Sequence, residues 1–208
     1  MQMSGIDVSH YQNKIDWSQM RGRGITFAFV KATEGVAVID PLFNSNWKVA
    51  RSWGIRRGAY HFFRPDIDPE QQAAHFLQTL NGDTGELPPA LDVETIGRVT
   101  PDSVIDRARC WLKFVQARVK RQPIVYTGSA FWRMSLNDSG ALSEYPLWIA
   151  HYTSGPRPLV PRGWPRWTFW QFSQKGKIPG ITGCVDLNAF NGTEAELDDF
   201  CNAELATA

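Results

Sequence analysis

Residues 88–97 read PPALDVETIG, an apolar run that ends in Asp92 and Glu94, two positions apart. On a strand, residues i and i+2 face the same side, so both carboxyls address one place. Two like charges held that close make one of them hard to ionise. A protonated carboxyl beside an ionised one is the equipment of acid–base chemistry at a single centre. Other short apolar runs carry polar residues in the same way. Asp7 lies in GIDVS, Lys31 ends TFAFVK, and Tyr60 and His61 lie in GAYHFF. Tyr126 lies in PIVYT, Trp148 in LWIAH with Tyr152 just after it, Gln171 in TFWQF and Asp186 in CVDLN.

The elements that must hold these residues follow from the spacing of the runs. Gly5–Ser9, Thr26–Lys31, Gly58–Phe63, Ala90–Glu94, Pro123–Thr127, Leu147–His151, Thr168–Phe172 and Cys184–Asn188 read as buried strands of a largely parallel sheet. Helix-like segments fill the gaps after the first five. They are 16–23, 41–53 (Phe43, Trp47 and Ala50 at helical spacing), 69–80, 101–120 and a shorter piece at 129–134. Pro41, Pro69 and Pro101 suit first helical turns, where a missing N–H costs little. The next two gaps hold Pro156, Pro158, Pro161 and Pro165, then Gly176, Pro179, Gly180 and Gly183, and predict loops. A Thr193–Glu196 capping box starts a closing helix that runs to about Leu205. Five β/α units followed by three loop-joined strands predict an α/β fold, an eight-stranded TIM-like barrel with its late helices missing. One barrel domain is expected over 1–208, with no second domain.

Active sites of such barrels lie at the carboxyl ends of the strands. Closure makes the first and last strands neighbours, so Asp7 and Asp186 should meet, with Asp92 and Glu94 across the mouth. Tyr60, His61, Tyr126, Trp148, Tyr152 and Gln171 are the candidate substrate contacts around them. Plainer roles exist. Asp7 could cap a turn, Asp186 could pair with Lys31, and Glu34 could simply hold Lys31. Trp148 and Trp170 could each face the lumen or the helices. Ser9 lacks the base and orienting group of a triad. His10, His61, His75 and His151 form no HExxH or other close ligand pattern, so neither metal nor cofactor is expected. Carboxylates ringed by aromatic platforms, without a nucleotide-binding loop, point to glycoside hydrolysis.

Composition narrows the field. The 208 residues carry 22 Lys+Arg against 21 Asp+Glu, a net charge of +1 with no field to draw nucleic acid. The basic clusters Arg51/Arg56/Arg57, Arg118/Lys120/Arg121 and Arg157/Arg162/Arg166 read as solvated surface. No apolar run approaches the roughly 20 residues of a membrane span. The start MQMSGIDVSHYQ has no signal-peptide pattern. Three widely spaced cysteines (Cys110, Cys184, Cys201) form no disulfide framework and fit a reducing compartment.

Nine stretches in order resemble the family 25 glycoside hydrolases, the Chalaropsis-type lysozymes of fungi, bacteria and phage lysis cassettes. They are GIDVSHYQ (5–12), FVKATEG (29–35), DPLFNSNW (40–47), GAYHFF (58–63), ALDVE (90–94), VYTG (125–128), LWIAHY (147–152), WQFS (170–173) and VDLNAFNG (185–192). The resemblance implies a (β/α)₅(β)₃ barrel that cleaves the β-1,4 bond between N-acetylmuramic acid and N-acetylglucosamine in peptidoglycan. It implies Glu94 as general acid. Asp92 would orient the substrate's 2-acetamido group or act as the second carboxylate. Asp7 and Asp186 match the other acidic positions of the groove, and Tyr60 and Tyr126 match aromatic positions near the cleaved sugar. Two readings from other classes remain: a peptidoglycan-binding barrel without turnover, and a metal-dependent deacetylase or amidase on the same polymer. A chain made in the cytoplasm without a signal would reach the wall with a holin-like partner, as phage endolysins do, or by non-classical export. A monomer is the expected state.

Overall fold

A computed structural model describes residues 3–20 and 23–203. The strands are β1 (Ser4–Val8), β2 (Ile25–Glu34), β3 (Val38–Ile39), β4 (Arg56–Phe62), β5 (Ala90–Asp92), β6 (Ile124–Gly128), β7 (Leu147–Ala150), β8 (Phe169–Gly176) and β9 (Val185–Phe190). The helices are α1 (Phe43–Ser52), α2 (Pro69–Leu80), α3 (Pro101–Val119), α4 (Ser129–Ser135) and α5 (Glu194–Asn202). In the sheet the order is β1-β9-β8-β7-β6-β5-β4-β2-β3, and a β1–β2 pairing closes it. Neighbours are parallel from β1 through β2 and β4 to β8, while β9 runs antiparallel to both β8 and β1. β3 is a short exposed hairpin partner of β2 outside the barrel, which the sequence pattern did not announce.

Alternation along each strand divides the core in two. Ala28, Val30 and Ala32 of β2 face outward into a layer shared with Phe76 of α2 and Trp111, Leu112 and Val115 of α3. Phe27 and Phe29 face the lumen with Ile124, Trp148 and Phe169. Phe29 stacks on Trp148 with ring centroids 4.1 Å apart, and Phe169 meets its edge at 5.1 Å. Glycine makes room for this plug: a Cβ on Gly58 would lie 2.6 Å from the Phe29 ring. Below the plug α5 closes the amino end of the barrel. Its Leu197 joins the lumen core, and Asp198 holds the Arg56 guanidinium at 2.7 Å.

The proline and capping signals were followed at most helices. Asp68 and Thr100 cap α2 and α3, each with proline in the first turn. Thr193 and Glu196 form the expected capping box of α5, which ends at Asn202; Leu205 lies outside the described residues. Pro41 instead precedes α1 by two residues. Segment 16–23 forms only the 3₁₀ turn Trp17–Gln19, because the Asp16 carboxylate binds the Ser18 N–H and the Gln19 amide locally; Arg21 and Gly22 lie outside the described residues. Arg57 is not solvated surface. It is buried between β4 and α1, paired with Asp83 and Glu86 and stacked on Trp47. Cys110 and Cys201 are partly buried and Cys184 is exposed, all three as free thiols.

Phe29 is fully buried at the centre of the plug. Phe29→Ala should therefore cost about 3–5 kcal/mol, read as a lower denaturation midpoint in urea.

Candidate active site

β1 and β9 bring Asp7 and Asp186 into direct register. Because β9 is antiparallel, Asp186 near its start reaches the same mouth that the other strands reach at their ends. Asn188, two residues on, lies deeper. Asp7 Oδ2 accepts hydrogen bonds from Gln171 Nε2 at 2.8 Å and Asn188 Nδ2 at 2.7 Å. Burial, and then the Asp186 charge, push the Asp7 carboxyl up to about 8. Burial raises Asp186 as well, and a hydrogen bond from Asp7 partly offsets this. The two carboxyls are thus both held above the ordinary carboxylate range.

Across the mouth, β5 delivers Asp92, and Glu94 follows it. Asp92 is raised well above the usual carboxylate range by burial and by the charge of Glu94, opposed by Lys31. Its Oδ1 has no hydrogen-bond partner among the described residues. Glu94 is raised by burial and by Asp186, again opposed by Lys31. The Tyr60 and Tyr126 hydroxyls are pushed up by burial and by the surrounding carboxylates, so both stay protonated. Gln171 ties the aromatic side together. Its Oε1 accepts from Tyr126 at 3.1 Å and Tyr152 at 2.7 Å, while Trp148 donates to Asn188 at 2.7 Å.

Asp7, Tyr60, Asp92, Glu94, Tyr126, Trp148, Gln171 and Asp186 together line an inner cavity of about 90 Å³. It opens into an outer one of about 320 Å³, whose walls add Lys31, Glu34, Phe62, Arg64, Tyr11 and Gln12. A larger cavity of about 530 Å³ lies between the amino ends of β7 and β8 and α5, and holds none of the four carboxyls. Among the described residues no group of three or more His, Cys, Asp or Glu is placed to hold a metal ion.

His61 does not join the site. Tyr60 faces the lumen, so its neighbour must face the helices, where His61 is fully buried, stacked on Trp111 and bonded to Thr33 and Gln72. Alternation along GAYHFF carried that signal, and it equally points Phe62 to the cleft. Trp148 takes the lumen side, whereas Trp170 packs outward and donates to the His151 carbonyl. Lys31 pairs with Glu34 at 2.7 Å and not with Asp186. Arg64 comes from the loop after β4 and Tyr11 from the 3₁₀ turn His10–Gln12 after β1, neither of which any periodicity marks.

The sequence model of the glycosyl hydrolases family 25 matches residues 6–181. The chain belongs to this family. It is 44% identical over 201 residues to the uncharacterized protein YegX of Escherichia coli O6:H1, covering 94% of this chain and 72% of that one. It is 37% identical over 206 residues to lysozyme M1 of Streptomyces globisporus, covering 94% and 70%. Its fold superposes on the crystal structure of a bacterial lysozyme from Streptomyces coelicolor with a TM-score of 0.88 at 33% identity, covering 97% and 98%. The α/β barrel expected from the strand and gap count is the fold observed, and it is the family 25 fold that the resemblance implied.

The state of Asp7 has a stability consequence. Between the ordinary value of 3.8 and about 8, the folded chain keeps a proton that the unfolded chain has released. Stability from this group is therefore full at low pH and lost as pH rises through that window. Asp7→Asn preserves the acceptor for Gln171 and Asn188 without a charge to form. Its melting temperature should fall less between pH 4 and 8 than that of the wild type in calorimetry. Equal slopes would mean that Asp7 is already ionised.

Proposed function

We propose that this family 25 enzyme is a peptidoglycan muramidase in which Glu94 is the general acid and Asp92 receives the 2-acetamido group of the sugar. Family membership and likeness to lysozymes support the activity. The observation that carries the division of labour is the unpartnered Oδ1 of buried Asp92, two residues from Glu94 at the floor of the cleft. A buried carboxyl oxygen without a donor is costly. The amide N–H of an N-acetyl sugar is the kind of donor that would satisfy it.

Without substrate, the more deeply buried Asp92 competes with Glu94 for their shared proton. An N–H donated to Oδ1 stabilises the Asp92 carboxylate and leaves the proton on Glu94. Glu94 then protonates the glycosidic oxygen as the C1–O bond breaks. The acetamido carbonyl oxygen, polarised by Asp92 at its N–H, closes onto C1. Water next attacks C1, gives its proton to Glu94 and reopens the acetamido ring, which retains the anomeric configuration. Tyr60 and Tyr126, neutral throughout, offer hydroxyl groups beside the developing charge.

Glu94→Gln should lower kcat by about 10²–10⁴ with an unchanged melting profile; a folded variant of full activity would remove Glu94 from the acid role. The alkaline limb of the kcat profile should lie above the ordinary glutamate range, because burial and Asp186 raise Glu94. The reaction itself is read from fragments of purified peptidoglycan by mass spectrometry after borohydride reduction. Reduced N-acetylmuramic acid ends are expected. Reduced N-acetylglucosamine ends would move the cleaved bond, and new amines without reducing ends would overturn a glycosidase.

A further inference from the structure

The outer cavity is lined by two chemically different sets of residues. One is Asp7, Asp92, Glu94 and Asp186; the other, Lys31, Glu34, Phe62 and Arg64, comes from β2, from β4 and from the loop after it, between the strands of Asp7 and Asp92. Glu34 accepts from Lys31 Nζ at 2.7 Å and from Arg64 Nε at 3.0 Å. Both cations also lie over the Phe62 ring, Lys31 Nζ 5.0 Å and Arg64 Cζ 4.7 Å from its centroid. Two cations thus share the Glu34 carboxylate, and Lys31 also lies in the field of Asp92 and Glu94. Donors are left over too: Lys31 has three N–H bonds and one acceptor, and Arg64 Nη1 has none among the described residues.

The loop bearing Arg64 is held from behind the barrel wall. Gln72 of α2, fully buried, accepts from the Arg64 N–H at 3.0 Å and donates to the Arg64 and Ile67 carbonyls at 2.9 and 3.0 Å. His61 Nε2 reaches the same Gln72 oxygen at 3.1 Å, which makes it the donor, so Nδ1 accepts from the Thr33 hydroxyl at 2.7 Å. A buried network thus fixes the backbone on both sides of a half-exposed arginine. An ordinary surface ion pair contributes little and needs no such support.

We propose that Lys31 and Arg64 form a subsite for a carboxylate carried by the glycan beside the cleaved bond, which favours acidic muramic-acid strands over neutral amino-sugar strands. This rests on the muramidase reading. Muramic acid bears a lactyl ether that ends either in a free carboxylate or in an amide to a stem peptide with carboxylates of its own. Both offer the same chemistry to a guanidinium and an ammonium that share the Glu34 carboxylate. The four carboxyls beside them would otherwise repel such a strand.

Three soluble strands of equal length test the subsite: peptide-free with lactyl carboxylates, the same strand with those carboxyls capped as neutral methylamides, and a peptide-bearing strand. Wild-type kcat/KM should favour a carboxylate-bearing strand over the capped one by about tenfold or more, the range of a charge-assisted hydrogen bond. Added salt should shrink the preference. In Arg64→Gln the preference should collapse towards one. Collapse on the peptide-free strand assigns the lactyl carboxylate, and collapse confined to the peptide-bearing strand assigns the stem peptide. Equal wild-type rates on all three strands would overturn the subsite whether or not the variant folds. An equal proportional loss on all three in Arg64→Gln would reduce Arg64 to a support for Glu34. Failure of the wild type to cleave any strand would overturn the muramidase reading, and the subsite with it.

Discussion

A closed sheet is a wall one residue thick, and a strand can present only every second side chain to its lumen. That constraint decides what this cleft contains. Asp7, Lys31, Tyr60, Asp92, Tyr126, Trp148 and Gln171 come from separate strands, and each sits at the lumen-facing parity near the mouth. Their immediate neighbours, such as Val8, His61, Leu91 and Ile149, are committed to the outer layer or its polar pockets. A one-residue slip in any strand would exchange a cleft-facing side chain for a packing one.

The same wall sets the electrostatics. Below the carboxyls the lumen is filled by Phe27, Phe29, Trp148 and Phe169, so the site has an apolar floor. Charges on such a floor are poorly solvated, and four carboxyls packed over it cannot all ionise. The structure meets the cost with specific donors. Gln171 and Asn188 serve Asp7, and Gln171 in turn anchors the Tyr126 and Tyr152 hydroxyls. Asp92 has no such support: its buried Oδ1 is without a hydrogen-bond partner among the described residues. A buried carboxyl oxygen without a donor is costly, and this one lies at the floor of the cleft.

The cleft also sets cations beside its carboxyls. Lys31 lowers both Asp92 and Glu94 while it pairs with Glu34, so one cation couples the two sets. Behind them His61, Thr33 and Gln72 do in the outer layer what Gln171 and Asn188 do in the lumen: they fix the aim of groups that face the cleft.

Much of this was readable from the chain alone. Eight apolar runs, proline-opened helices and proline- or glycine-filled late gaps determined the barrel, because period and backbone sterics are local properties. The Asp92-x-Glu94 spacing determined that two carboxyls share a side, for the same reason. Which side was a tertiary matter. Alternation fixes relative parity, but only closure of the barrel made Trp148 a lumen residue and Trp170 an outer one, and set His61 behind the wall. The antiparallel run of β9, which brings Asp186 rather than Asn188 to the mouth, depends on how the last strand inserts between β8 and β1. The Lys31–Glu34–Arg64 cluster depends on a loop whose shape is set by a glutamine on a helix. Contacts of that kind join residues far apart in the chain, and no local pattern encodes them.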